Sequence, residues 1–476
     1  MSNNATLSDT KRRLLNQFVQ QRTIPPADTS AIQRRPSSGP APLSLSQERL
    51  VLRAQNVSRA SLYNESITVK FRRPVDRDVL QISMAEVIRR HQILRTRYDM
   101  VSGQLVQVVA PALDNFALGL VDSRRGSERQ KRDDLSTLSL KQTAQPFDLH
   151  QGPLLRALLV AMNESESWLV MTAHQSIIDG VSVYQIFPRE LFTIYQAFSA
   201  NRASPLSELP LQFSDFAYWQ REWLTRAEIL RQVGYWRTQL GSGSHAPRWP
   251  THKSKLQRRT FRGFIRRFVL DRHVADAASA LGRGHGVTMF AVLLSAFYSL
   301  LHLYTGQRDL TVGTLSPSGR KRSEVQGLIG YFLNPVALRV DLADDPPFTE
   351  LLRRVQVTIS EAISNDDVPF EQIVETLDSH SDPSRNPYFD AVISLQPCLP
   401  DSAAVWSVTS MDAESGAAAF DLYLAFIDRP EGLDVRAQYN PDIFAFEEIQ
   451  QTIRDFEALL AFTTEHPEER ISRLHL

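Results

Sequence analysis

The chain has 476 residues, 42% of them hydrophobic and 22% charged, an ordinary balance for a globular protein and a length that calls for two comparable lobes or two to three domains. Lys plus Arg and Asp plus Glu both number 53, so the net charge is zero and gives no reason to expect nucleic acid or an anionic membrane as partner. The single cysteine, Cys398, excludes an internal disulfide framework and a cysteine metal cluster and fits a reducing cytoplasm. With no histidine-rich neighbourhood, it reads as a buried residue rather than a nucleophile.

Near the start, Lys11, Arg12 and Arg13 are followed by no continuous apolar run and no small-residue cleavage site, so a signal peptide is not expected. Residues 7–20 read as a short amphipathic helix, with Leu14 and Phe18, and Leu15 and Val19, at i, i+4. Pro25, Pro26, Pro36, Pro40 and Pro42 then mark a linker that cannot bury enough surface to fold alone, and the compact body is expected to start near Leu43. Period-two apolar residues at Ile67, Val69 and Phe71 give a strand. Asp76 follows as cap of a helix striped by Val79, Leu80, Met84, Val87 and Ile88. A hairpin turning at Ser102 and Gly103 comes next, then strands over 154–161 and 168–173 that lead into the segment His174 to Gly180. The helix after that segment should run to Phe198, kinked or delayed by Pro188, which lacks a backbone donor.

The second half repeats this α/β style. A strand is expected over 261–270, and a helix from Met289 to Tyr304 between Thr288 and Gly306 as caps. That apolar run falls short of the ~20 residues needed to cross a bilayer, and Ser295, Ser299 and His302 interrupt it, so it reads as a core helix. A strand over 310–312, a helix opening at Pro347 and Phe348, strands over 389–395 and 422–426, and a helix over 446–460 complete the pattern. No repeat of 20 to 50 residues supports a solenoid or propeller. No ligand-spaced Cys/His set, Walker loop or dinucleotide glycine pattern occurs, so metals, nucleotides and flavins are not expected.

Chemistry concentrates in Met171-Thr-Ala-His-Gln-Ser-Ile-Ile-Asp-Gly180, which leaves a strand, presents a histidine and reaches Asp-Gly. Alone it is equally a strand ending in a polar turn, with His174 packed in the core and Asp179-Gly180 as the turn. Six further stretches accompany it: Pro42-Leu-Ser-Leu-Ser-Gln47-Glu-Arg49-Leu, Arg90-His91-Gln-Ile-Leu94-Arg95-Thr96-Arg-Tyr98, Phe213-Ser-Asp215-Phe-Ala217-Tyr-Trp219, Ile329-Gly330-Tyr-Phe332-Leu-Asn334, Asn365-Asp-Asp367-Val-Pro369-Phe370-Glu371 and Asp382-Pro-Ser384-Arg385-Asn386-Pro387. Read from the residues, His91 and Arg95 cap a helix and pair with a carboxylate. Asp215 with Trp219, and Asp367 with Pro369 and Phe370, suit interlobe packing and turn chemistry.

Together and in this order the seven stretches resemble the condensation domains of nonribosomal peptide synthetases over residues 43–476, with Val51 where the opening motif usually has tryptophan. The resemblance implies an α/β fold of two chloramphenicol acetyltransferase-like lobes, arranged as a V-shaped pseudo-dimer around a central tunnel. The division expected is an N-terminal helix and Pro-rich linker or docking segment at 1–42, an N-terminal lobe at 43–225 and a C-terminal lobe at 226–476. The family pattern at the strand end is His-His-x-x-x-Asp-Gly, and here His174, Gln175, Asp179 and Gly180 occupy it. The second histidine is the family's general base or stabiliser of the tetrahedral intermediate, and Gln175 takes its place. His174 and Asp179 would hold the loop, Asp179 through a salt bridge to Arg320 of the other lobe. Gly180 would keep the channel open, and Arg320, Asn334 and Arg95 would support the tunnel.

The activity implied is acyl transfer in nonribosomal peptide or hybrid polyketide biosynthesis. Donor and acceptor carrier proteins would each present a thioester on their own phosphopantetheine arm, with no cofactor bound by this chain, which is expected to be a cytoplasmic monomer. An amide side chain can hydrogen-bond but cannot take a proton near neutral pH. Amide formation is therefore favoured over ester formation, because an α-amino group of pKa near ~8 is partly unprotonated already. The competing reading is a catalytically impaired domain that docks carriers or holds a chain. The enzyme reading stands ahead because His174, Asp179 and Gly180 are intact.

Overall fold

The computed structural model describes residues 31–56, 60–112, 116–241, 245–250, 260–377, 387–396, 406–409 and 416–474. The helix expected over 7–20, Cys398 and most of the Asp382–Pro387 stretch lie outside them. The chain divides into two units, Met1–Gln33 and Arg34–Leu476, and all the elements below belong to the second. Residues 34–42, expected in the linker, are already held on this body. Arg34 Nε donates to the Pro210 carbonyl at 2.8 Å and the Arg35 amide to Asp215 Oδ1 at 3.0 Å. A proline-rich segment needs no fold of its own when its backbone groups find partners on a finished surface.

In chain order the first half forms β1 (Ala41–Pro42), α1 (Leu45–Asn56), β2 (Asn64–Phe71), α2 (Arg77–Arg90), β3 (Thr96–Val101), β4 (Gln104–Val109), β5 (Gly119–Asp122), α3 (Glu128–Ala144), β6 (Leu155–Ala161), β7 (Ser167–His174), α4 (Phe187–Ser199) and α5 (Phe213–Trp223), and α6 (Arg226–Leu240) opens the second half. Asp76 caps α2 as its sequence requires, accepting from the Asp78 and Val79 amides. Ser102 and Gly103 both adopt positive φ at the β3–β4 turn, 51° and 78°, the pairing that a two-residue hairpin favours. Pro188 has the effect expected of a missing donor: a π-helical turn occupies Ser182–Ile186, and α4 starts after it with the proline in its first turn.

The second half adds β8 (Phe264–Asp271), α7 (Arg272–Gly284), α8 (Met289–Thr305), β9 (Asp309–Ser316), β10 (Asn334–Asp341), α9 (Phe348–Ile363), α10 (Phe370–Leu377), β11 (Ala391–Gln396), β12 (Trp406–Thr409), β13 (Leu422–Arg429), β14 (Gly432–Tyr439) and α11 (Phe446–Glu465). Thr288 accepts from the Ala291 amide at the head of α8, and Gly306 closes it at φ 67°. The helix lies in the core, with every residue from Ala291 to Leu301 buried. Among the described residues no single helix is long and apolar enough to cross a membrane.

The strands make a six-stranded sheet ordered β10-β9-β11-β13-β14-β8, a five-stranded sheet ordered β12-β2-β7-β6-β5 and a small β1-β4-β3 sheet. The first of these is built wholly from the second half and the third wholly from the first half. The five-stranded sheet is shared: β12, from the second half, pairs antiparallel along β2, from Thr409 opposite Thr68 to Trp406 opposite Phe71.

Candidate active site

The site begins at the end of β7. This strand runs antiparallel to β2 with Asn64 opposite His174 and Glu65 opposite Ala173. It is buried at every position after Trp168, because it lies inside the sheet between β2 and β6. His174 is 2% exposed. Its Nδ1 accepts from the Ser176 amide at 3.3 Å and meets the Ser176 hydroxyl at 2.7 Å, which leaves the ring proton on Nε2. Burial pushes the imidazole down to about 3, so it stays neutral at ordinary pH. Tyr63 and Phe147 pack against the ring at centroid distances of 6.2 and 6.4 Å. His174 therefore shapes the loop and holds no mobile proton.

Beyond it, a 3₁₀ turn over Gln175–Ile177 carries the chain off the sheet. The Ser176 carbonyl is gripped by Gln47 Nε2 at 3.0 Å and the Tyr98 hydroxyl at 3.2 Å, and Gln47 and Tyr98 are themselves joined at 2.9 Å. Two of the accompanying sequence stretches thus converge on the loop through residues to which the sequence alone assigned no role. Along 171–180 only Gln175 and Gly180 are part-exposed. The Gln175 side-chain amide has no hydrogen-bond partner among the described residues, which leaves both its donor and its acceptor for a ligand.

Asp179 and Arg320 meet as a two-pronged pair, Nε to Oδ2 and Nη2 to Oδ1, both 2.8 Å. Ser182 joins them: its amide and hydroxyl each donate to Asp179 Oδ1 at 2.7 Å, and its hydroxyl lies 2.9 Å from Arg320 Nη2. The Gly330 amide donates to Ser182 Oγ at 3.0 Å. The guanidinium also lies 4.2 Å from the centre of the Phe332 ring, a stacking geometry suited to its planar charge. A buried carboxylate is tolerated where it is paired and hydrogen-bonded this fully. A Cβ on Gly180 would come 3.1 Å from Gln396 Oε1, so the loop faces the end of β11. There Gln396 Nε2 reaches Ser394 Oγ at 3.2 Å and the Tyr423 hydroxyl at 3.4 Å.

The remaining expected site residues lie elsewhere. Asn334, at the head of β10, donates to the carbonyls of Asp366 and Val368 and accepts from the Phe370 amide, fixing the turn that starts α10. Arg95 departs from expectation: it finds no carboxylate among the described residues and donates to the Ala110 carbonyl at the end of β4 instead. His91 does pair with one, Glu190 at 3.0 Å, while its Nδ1 accepts from the Ile329 amide at 3.2 Å. Asp215 serves α5, accepting from the Gln212 amide as well as from Arg35. Phe213 and Phe216 pack on Phe332 at 5.0 and 4.9 Å. Asp367 accepts from Gln232 and Lys321.

The family model described as "Condensation domain" matches residues 37–476. The chain belongs to the condensation-domain family. This condensation domain is 34% identical over 440 residues to a linear gramicidin synthase of Brevibacillus parabrevis, covering 91% of the present chain and 6% of that synthase. It therefore spans a small part of the relative's length. Among solved structures it is similar to the X-domain from teicoplanin biosynthesis, at 27% identity and TM-score 0.82 over 94% of this chain and all of that one. That X-domain is also known in complex with OxyB, where the match covers 94% of this chain and 98% of that one at TM-score 0.80. The first condensation domain of the calcium-dependent antibiotic synthetase, in complex with a substrate analogue, has the same fold, with TM-score 0.80 at 18% identity over 92% of this chain and 99% of that one.

Proposed function

We propose that this condensation domain joins a donor thioester to an acceptor amine, each delivered on the phosphopantetheine arm of a carrier protein, inside a passage between the halves 43–225 and 226–476. The observation that carries the reading is the loop Gln175–Gly180. It is clamped from behind by the buried Asp179–Arg320 pair and offers only an unengaged amide and a glycine on its open side. Holding two tethered reactants together there is worth ~7–11 kcal/mol in effective concentration, with no protonatable group involved. Gln175 can orient the amine through its carbonyl or steady the tetrahedral oxyanion through its NH₂, and Gly180 leaves room for the arms. Arg320 and Asp179 act at one remove by fixing the loop. Asn334 and Arg95 support the frame.

The test is direct. The protein is mixed with a donor-loaded and an acceptor-loaded carrier protein, and the condensed thioester is followed by intact mass. Product above the carrier-only background is expected, and its absence ends the reading. Gln175→His should raise the rate if a base at this position is all that the site lacks.

A second reading has its own support. The teicoplanin X-domain, 27% identical to this chain, is known in complex with OxyB, so a domain of this fold can act by holding a partner protein. On that reading the chain binds a loaded carrier or another enzyme without joining anything. Saturable carrier binding with no condensed product in the same mixture would favour it.

A further inference from the structure

Burial along β2 is nearly complete, and its two part-exposed positions are Glu65 and Lys70. Lys70 is paired with Glu166 at 2.9 Å. The Glu65 carboxylate has no hydrogen bond or ion pair among the described residues. Register places it opposite Ala173, so the two side chains share a face of the sheet, with His174 and Asn64 on the other. His174 keeps extended angles, φ −73° and ψ 135°, which returns residue 175 to the Glu65 face. Diagonal neighbours on adjacent strands lie about 7–8 Å apart and are bridged by long side chains. From the second half, Arg436 on β14 and Tyr423 on β13 act on the same carboxylate, and Tyr423 is the group that Gln396 reaches beside Gly180. Glu65, Gln175, Gly180, Gln396, Tyr423 and Arg436 are all part-exposed in an otherwise buried region.

We propose that Glu65 is the proton acceptor of this domain. The assignment rests on the condensation reading above. The neutral acceptor amine attacks the thioester carbonyl, and the new C–N bond makes a tetrahedral intermediate with a positively charged nitrogen. The Glu65 carboxylate takes the proton from that nitrogen. Collapse then breaks the C–S bond, and the departing thiolate takes the proton back, leaving an amide, a free pantetheine thiol and Glu65 ionised again. Burial raises the Glu65 carboxyl above the usual carboxylate range, with Arg436 pulling against it, and a carboxylate so raised is the stronger base. Among the described residues the charged or titratable groups acting on it are Arg436 and Tyr423, while β7 presents Ala173 across the register.

The same burial predicts how a variant behaves. A carboxyl whose pKa is raised on folding contributes stability when protonated and loses it as pH rises, so Glu65→Gln should melt no lower than the parent at neutral pH. In the two-carrier assay Glu65→Gln is expected to lower the rate about 10²-fold or more, with carrier binding unchanged. The parent's rate should rise with pH through a step above the ordinary carboxylate range, and the variant should lack that step. Glu65→Gln at the parent rate overturns the assignment and leaves condensation standing. A parent that makes no product overturns the condensation reading, and the assignment with it. Should the variant melt lower, the parent's pH profile decides, because a rate flat through that range rules Glu65 out.

Discussion

Removing the Arg320 guanidinium tests how the loop is held. Arg320→Met keeps an aliphatic stem but deletes the guanidinium that lies over Phe332, both 2.8 Å bonds to Asp179 and the 2.9 Å contact with Ser182. Asp179, 4% exposed, is left with two donors from Ser182 and no opposing charge. Stripping one partner from a buried ion pair costs about 3–5 kcal/mol, since the remaining charge stays desolvated. Unfolding entropy of about 2.1 cal/mol/K per residue gives roughly 1 kcal/mol/K for a chain of 476 residues. The melting temperature should therefore fall by about 3–5 °C, a small shift for a large defect. A double-mutant cycle gives the sharper reading. Asp179→Asn should cost a similar amount alone, and Arg320→Met with Asp179→Asn should cost at least about 2 kcal/mol less than the two losses added. Additive losses, measured by denaturant titration, would refute the claim that this pair is the clamp.

Three other outcomes are expected. His174, held neutral with its pKa near 3, binds its proton more weakly folded than unfolded. Its contribution is present above about pH 6.5 and is lost toward pH 3 at about 1.4 kcal/mol per pH unit. His174→Asn should flatten stability measured between pH 6.5 and 5, and parallel slopes would contradict the assignment. A Cβ on Gly330 would sit 2.1 Å from Phe213 Cδ2, whereas one on Gly180 comes no nearer than 3.1 Å, to Gln396 Oε1 at the tip of a long side chain. Gly330→Ala should thus cost about 1–3 kcal/mol in thermal unfolding and Gly180→Ala little, with its loss appearing in condensation rate instead. Asp76→Ala, which removes the acceptor for two amides at the head of α2, should cost about 1 kcal/mol in the same measurement.

Much of this structure is legible in the sequence wherever local chemistry decides. The cap at Asp76, the Ser102–Gly103 turn, the caps Thr288 and Gly306 of the core helix and the irregular turn ahead of Pro188 each follow from residues within a turn of one another. The Asp179–Arg320 pair was legible only through family resemblance, because its partners stand far apart in the chain. Other features leave weaker signals. The helix over Glu128–Ala144 has a Ser127–Gln130 capping box, a readable N-terminal signature, but its fully buried residues Lys131, Ser139 and Thr143 are polar and its apolar contact rests on the half-buried Leu135 and Leu138, a weak stripe. Strand β14 hides a buried Asp434 that reads as polar until Arg267 and Arg429 are found beside it. Glu65 looks like an ordinary solvent-facing strand residue. Its setting comes from Tyr423 and Arg436, which only the fold brings near, just as Gln47 and Tyr98 gain their purpose from a carbonyl on another element.

The four-residue strand Trp406–Thr409 ties the fate of one half to the other. It covers the outer edge of β2, so the first half expressed alone would present a bare row of backbone donors and acceptors along an apolar strand, a template for edge-to-edge association. Exchanging halves between related proteins should accordingly succeed when this short strand travels with the sheet it completes, and yield aggregates when it stays behind.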